Sequence, residues 1–215
     1  MKYKINIGCG RQPTEGWINF DNSPSIILSK SLFKYFVAKI FGFINKKEQT
    51  ENINWNKRNK IFFADGKKHI PLPSNSAECI YTSHMLEHLS KEESISFLNE
   101  ALRVLETGGI LRIAVPDLKL AVNFYLQTQD ADAFMERIFI APPPINTLKQ
   151  KIFLFFSGYR QHQWMYDDKS LSKLLKKVGF RQVFICKAGE TNILNPGNLN
   201  LYEHSDESIY LEGLK

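Results

Sequence analysis

The chain has 215 residues and a net charge of +6, with 43% hydrophobic and 23% charged residues. These values describe one ordinary globular domain large enough to bury its own core, and exclude a disordered or collagen-like chain. Cys9, Cys79 and Cys186 lie far apart with no CxxC pair, which excludes a disulfide framework and a zinc ribbon and fits a reducing, cytoplasmic compartment.

Tyr3-Lys4-Ile5-Asn6-Ile7 reads as a strand, and position 3 already belongs to the fold, so no leader is expected. Gly8-Cys9-Gly10 follows as a tight turn, and Trp17-Ile18-Asn19-Phe20 forms a second strand ending at Asp21. A strand, a glycine turn and an acid closing the next strand is how an α/β sheet grips a nucleoside. Only twelve residues separate Gly8 from Asp21, so any helix between them is cut to about one turn. Gly-x-Gly-x-x-Gly is absent, with Pro13 at the third glycine position, which argues against a nicotinamide dehydrogenase.

Residues 23–60 carry Lys30, Lys34, Lys39, Lys46, Lys47, Lys57, Arg58 and Lys60 against Glu48 and Glu51, which accounts for the whole net charge. Within this insert, residues 26–44 are apolar at helical length but interrupted by lysines. The expectation is a buried or capping helix over the pocket, with interfacial contact at the inner face of a membrane as the alternative.

Lys60–Ala64 predicts a third strand ending at Asp65-Gly66, and Cys79–Thr82 a fourth. Ser90 and Glu93 form a capping box for a helix with Ile95, Leu98, Leu102 and Leu105 at helical spacing. Gly108-Gly109 is expected to end that helix. Ile110–Val115 is a fifth strand halted by Pro116. Residues 117–160 read as a helical insert broken at Pro142-Pro143-Pro144. Leu171, Leu174, Leu175 and Val178 mark a helix ended by Gly179, and 183–186 and 208–211 are the last two strands.

Ile5–Gly10, Asp21, Asp65-Gly66, Tyr81–Leu89 and Ala101–Gly109 follow one another in an order that resembles the class I S-adenosylmethionine (SAM)-dependent methyltransferases. The stretch Arg160–Asp167, with Gly179-Phe180, is similar to a subgroup associated with bacterial polysaccharide clusters. The resemblance implies a single Rossmann-like α/β domain over 1–215. Its sheet would be seven-stranded and mostly parallel, with an antiparallel last strand and helical insertions. It implies SAM as cofactor, S-adenosylhomocysteine as product, and transfer of a methyl group to an O or N of a small molecule, a sugar or polysaccharide precursor. A methyltransferase-like binding module without catalysis and a nucleic-acid methyltransferase stand as alternatives. No basic stripe interleaved with aromatics runs through the chain, so no nucleic-acid partner is expected.

By the same resemblance, Gly8, Cys9 and Gly10 would pass the methionine part of the cofactor and Asp21 would accept from the ribose hydroxyls. Asp65, with Gly66, would meet the adenine amino group, and Ser83 and His84 would lie near the sulfonium. Tyr159–Tyr166 is the expected substrate region, with Arg160, Trp164 and Tyr166 as contacts and His162 or His88 as the proton acceptor; the plainer reading puts Trp164 and Tyr166 in the core and makes Asp167 a helix cap. His84-Met85-Leu86-Glu87-His88 spells H-x-x-E-H, a zinc-binding string in one metallopeptidase class. Its position after a strand in a nucleoside-binding pattern argues against that use; a non-peptidase metal site is a minor alternative, a hydrogen-bonded His88 is the plainer reading, and no metal is expected.

Overall fold

The computed structural model describes residues 2–44, 47–140 and 161–215. One seven-stranded sheet organises them. Strands β1 (Tyr3–Ile7), β2 (Ile18–Asp21), β3 (Ile61–Phe63), β4 (Ala77–Ser83), β5 (Leu105–Pro116), β6 (Gln182–Cys186) and β7 (Ser208–Leu214) lie in the order β3-β2-β1-β4-β5-β7-β6. β1 to β5 are mutually parallel, and β7 runs antiparallel between β5 and β6. The expected mostly parallel sheet is therefore present. β1 pairs with β2 on one side and β4 on the other, so the chain order reverses there and a crevice opens at the carboxyl ends of these strands.

The alternation of β1 assigns its two faces. Ile5 and Ile7 enter the main core with Ile80, Phe97, Leu98 and Leu111. Asn6 points to the opposite face. No helix forms between β1 and β2, and buried amides organise the connection instead. Asn6 Nδ2 donates to Gln12 O (3.2 Å) and Thr14 Oγ1 (3.1 Å). Asn19 Oδ1 accepts from Thr14 N (2.8 Å), and its Nδ2 donates to Thr14 O (2.9 Å) and Trp17 O (3.0 Å). The backbone groups that a helix would pair internally are satisfied by two side chains.

The face left bare by the missing helix is covered from the far end of the chain. Ile193 and Leu199 pack with Trp17, Cys79 and Tyr81. Their loop is pinned by a buried ion pair, Arg112 Nη1–Glu212 Oε1 at 2.7 Å. Glu212 also accepts from Thr191 Oγ1, Asn192 N and Asn192 Nδ2, while Arg112 Nη1 donates to Glu190 O. Burial alone would raise the Glu212 carboxyl, but these hydrogen bonds outweigh it and hold the group below its ordinary value.

Helix α4 (Lys91–Val104) carries the predicted Ser90–Glu93 capping box and buries Phe97, Leu98, Ala101 and Val104. It ends earlier than Gly108-Gly109. Leu105 already has extended backbone and opens β5. The glycines sit where the β4–β5 register shifts between Ala77 and Cys79. Gly108 has φ +83°, and a Cβ on Gly109 would stand 3.1 Å from Ala77 O. They serve a bulge rather than a helix cap.

The apolar run 26–44 divides at Ser31, whose side chain caps a new helix by accepting from Lys34 N. The first piece, α1 (Pro24–Ser29), buries Ile26 with Cys9 and Ile61. The second, α2 (Leu32–Ile40), buries nothing; Phe33 is 77% and Ile40 78% exposed. This corrects the expectation of a buried helix over 26–44. One turn anchored by Ile26 meets the sheet's demand, α2 is left outside, and the run is buried again at Ile44. Helix α3 (Lys47–Arg58) packs on α1. After β5 come α5 (Leu118–Thr128), α6 (Ala131–Ile138) and α7 (Asp168–Val178), the last with a capping box on Asp167 and ended by Gly179 at φ +123°. The triple proline at 142–144 lies outside the described residues.

Glu212→Gln removes one charge of a buried pair and leaves Arg112 uncompensated, and is expected to cost about 3–5 kcal/mol in chemical denaturation. The wild-type contribution is present above the ordinary carboxyl value of 4.5 and is lost as pH falls below it. Denaturation midpoints of Glu212→Gln should therefore fall less steeply on acidification.

Candidate active site

The crevice at the end of β1 opens with the glycine turn. Gly8 has φ +73° and Gly10 φ +51°, a region other residues avoid. Gly8 N and Cys9 N both donate to Phe20 O, at 2.8 and 3.2 Å, which ties the turn to the end of β2. Gly10 N donates to Asp21 Oδ2 (3.1 Å) and Ser23 N to Asp21 Oδ1 (2.7 Å). Each Asp21 oxygen thus takes one backbone donor and keeps a second acceptor position. Asp65 follows β3, its backbone oxygen taking Lys68 N and His69 N, each at 2.9 Å.

Gly8, Gly10, Asp21, Asp65, Gly66 and His84 line one cavity of about 940 Å³. Two carboxylates at the ends of adjacent strands therefore face a single space. Cys9 does not join them through its side chain. It packs against Ile26 and Ile61, and burial pushes its thiol up to about 12. Ser83 ends β4 outside the lining. A Cβ on Gly66 would meet Ile7 Cγ2 at 2.9 Å and Phe97 at 3.3 Å, so packing against the core alone demands glycine there.

His84 adopts the left-handed conformation (φ 48°), unusual for a side chain of this size. The surroundings hold it there. Its N–H donates to Ala114 O (2.9 Å), Nε2 lies 2.8 Å from Ser208 Oγ, and its ring stacks on His204 at 4.2 Å. The chain then enters a single 3-10 turn, Leu86–His88.

The same cavity is also lined by Met85, His88, Phe139 and Gln163. Gln163 N donates to Glu87 O (2.7 Å) and Gln163 Nε2 to His88 O (2.7 Å), which clamps segment 161–164 onto the turn. His88 Nδ1 is 3.2 Å from Gln161 O. The rings of His88 and His162, which come from opposite halves of the chain, lie 5.1 Å apart. Burial pushes the His162 imidazole below its ordinary value, with Glu87 opposing, so the ring is neutral at pH 7 and able to accept a proton.

The other expected substrate contacts separate. Tyr166 is core, 2% exposed, with its hydroxyl donating to Ser94 Oγ, and is not brought to the cavity. Trp164 is partly exposed, with the Lys91 ammonium 4.1 Å above its ring. Arg160 and Tyr159 lie outside the described residues. Sequence reasoning missed the wall supplied by the basic insert. Ser25, Asn52, Trp55 and Asn56 line the cavity, with Asn56 Nδ2 donating to Ser25 Oγ (2.8 Å) and Arg11 to Asn52 Oδ1. The available signal was a helix rich in amides, Gln49 to Asn56, beside a nucleoside-type loop.

Residues 25–113 match the family model described as a methyltransferase domain; the match begins just beyond the glycine turn and Asp21. Among curated proteins, none matches the chain in sequence. Among solved structures, it is similar to a SAM-dependent methyltransferase from Thermotoga maritima (12% identity, TM-score 0.52, covering 100% of this chain and 83% of that one). It is similar also to a SAM-dependent methyltransferase from Methanosarcina mazei (16%, 0.52, 99% and 92%) and to PigF solved with S-adenosylhomocysteine (12%, 0.52, 100% and 50%). Residues 25–113 thus match a methyltransferase domain, and the chain as a whole shares the fold of SAM-dependent methyltransferases.

The constrained backbone at His84 gives a direct test. Asn tolerates the left-handed region and a β-branched residue does not, and both replacements lose the contact to Ser208. His84→Val is expected to be less stable than His84→Asn by about 1–3 kcal/mol in thermal unfolding.

Proposed function

We propose that the enzyme transfers the methyl group of SAM to an oxygen or nitrogen of a small, hydroxyl-rich acceptor, a sugar or polysaccharide precursor. The observation that carries the reading is the pair Asp21 and Asp65 on one cavity beside the glycine turn. The chemistry of the donor set fits the cofactor. Asp21 retains acceptor capacity for two ribose hydroxyls, Asp65 takes the adenine amino group with Gly66 beside it, and the backbone of Gly8, Cys9 and Gly10 passes the methionine part. His84, with Ser83 before it, closes the side next to the sulfonium. Bound there, the cofactor supplies a methyl group already activated for displacement.

The protein's own work is then alignment. Holding the acceptor in line with the methyl group is worth on the order of 7–11 kcal/mol. His162 or His88 takes the proton of the acceptor hydroxyl, a contribution of typically ~10²–10⁴-fold. A hydroxyl-rich acceptor is favoured by the lining, where Asn22, Asn52, Asn56 and Gln163 offer amide donors and acceptors. The acceptor class is in keeping with the resemblance of 160–167 to the polysaccharide-cluster subgroup.

A second feature favours work at the inner face of a membrane. α2 exposes Leu32, Phe33, Phe36 and Ile40 beside Lys34 and Lys39, with Phe41 exposed just after it, and α1, which it packs on, lines the cavity through Pro24 and Ser25. Apolar residues flanked by lysines suit an anionic lipid surface. No helix of the described residues is long and apolar enough to cross a membrane.

Calorimetry should show SAM binding to the wild type and about 10–100-fold weaker binding to Asp21→Asn, the value of a hydrogen bond to a charged group; equal affinities would refute the assignment of Asp21. Incubation with methyl-labelled SAM and a panel of nucleotide sugars and lipid-linked sugars should place label in a sugar fraction, and label in RNA or DNA instead would overturn the acceptor class. Vesicles containing anionic lipid should sediment the wild type but not Phe33→Ser/Ile40→Ser, and neutral vesicles should sediment neither.

A further inference from the structure

Glu87 is the most anomalous residue in the described fold. It is 0% exposed, and neither carboxylate oxygen has a hydrogen-bond partner. His84 Nδ1, 3.3 Å from Oε1, makes an ion contact without hydrogen-bond geometry. A buried carboxylate with nothing to accept from is strongly disfavoured unless a charge sits beside it. His162 Nδ1 is likewise buried and unpartnered. One ligand atom from each of Glu87, His88 and His162 can be chosen so that all three lie within 4.8 Å of one another. His88 Nδ1 faces the Gln161 carbonyl, an arrangement that fixes a ring and leaves Nε2 free as a ligand. His88 itself lines the cavity.

We propose that Glu87, His88 and His162 hold one divalent transition-metal ion, zinc foremost, at the cavity wall formed by His88, the one of the three that lines the cavity, where its open position takes the acceptor's hydroxyl. Two imidazoles and one carboxylate with a vacant fourth position is a catalytic zinc set, with bond lengths of about 2.0–2.2 Å. The H-x-x-E-H string thus acts through its last two letters, and the third ligand arrives from segment 161–164, which the Gln163 bonds clamp in place. The inference rests on the methyl-transfer reading and narrows it to hydroxyl acceptors. The cation acidifies the hydroxyl, as it does bound water. The proton leaves to water, the oxygen lone pair forms the O–C bond, and the C–S bond breaks with its electron pair remaining on sulfur. In this arrangement His88 and His162 are ligands rather than bases.

The test uses the full chain, stripped with chelator and titrated with zinc by calorimetry, with SAM titrated separately. The expected result is one ion per chain and a rise in Tm with zinc. Glu87→Gln and His162→Gln should each bind zinc on the order of 10–100-fold more weakly or worse, while His204→Gln, in a neighbouring histidine–acid group, leaves zinc binding unchanged. Should either variant fail to fold, cobalt added to the wild type decides the matter: ligand-field absorption of a nitrogen–oxygen site supports the proposal, and its absence overturns it. A stripped wild type that binds SAM but neither zinc nor cobalt sinks the metal site alone. Failure to bind SAM would instead strike the function beneath it.

Discussion

The molecule depends on the short connection between β1 and β2. Twelve residues must leave the end of β1, expose two left-handed glycines to the crevice and return to place Asp21 beside them. A helix of ordinary length would exceed that span, so backbone donors and acceptors need other partners. Asn6 and Asn19 supply them from the strands themselves. Asp21 then has two duties. It takes the Gly10 and Ser23 N–H groups and still presents free lone pairs to the cavity. Loop shape and ligand capacity are set by one carboxylate.

Loss of the first helix also removes cover from one face of the sheet. Trp17, Cys79 and Tyr81 would meet water there, and Ile193 and Leu199 take the helix's place. Holding an irregular segment over a sheet requires polar anchors, because its own backbone cannot pair internally. Glu212 gathers Thr191, Asn192 and Arg112 at one buried point. The active site is therefore supported from behind by residues nearly a whole chain away.

Much of this was legible in the sequence, wherever one local rule decided the outcome. The strand–glycine–strand opening, the Ser90–Glu93 box and the Gly179 stop each depend on a few adjacent residues, and each stands where expected. Gly108-Gly109 misled because a glycine pair suits both a helix end and a bulge, and only pairing with β4 chooses between them. The 26–44 run misled because its apolar content exceeds what the sheet can cover; Ile26 and Ile44 are buried, and α2 between them is left exposed. Trp164 and Tyr166 sit two residues apart, and neither composition nor spacing told which would be core. The meeting of His88 with His162 was not legible as a contact, since it requires the 161–164 segment to fold back onto a 3-10 turn from the other half of the chain.

The far-end support has a consequence for biogenesis. Lys4 Nζ donates to Asn195 O across 191 positions, and Trp17 packs with Ile193 and Leu199 as well as with Cys79 and Tyr81. The amino-terminal strand therefore leaves the ribosome without the segment that seals it, and at about 5–20 residues per second it waits on the order of 10–40 seconds. During that interval Trp17 and Tyr81 form an uncovered apolar strip on an incomplete sheet, a natural place for a chaperone to bind. A nascent chain stalled before residue 190 should be cut by protease around Trp17, whereas the released protein should resist.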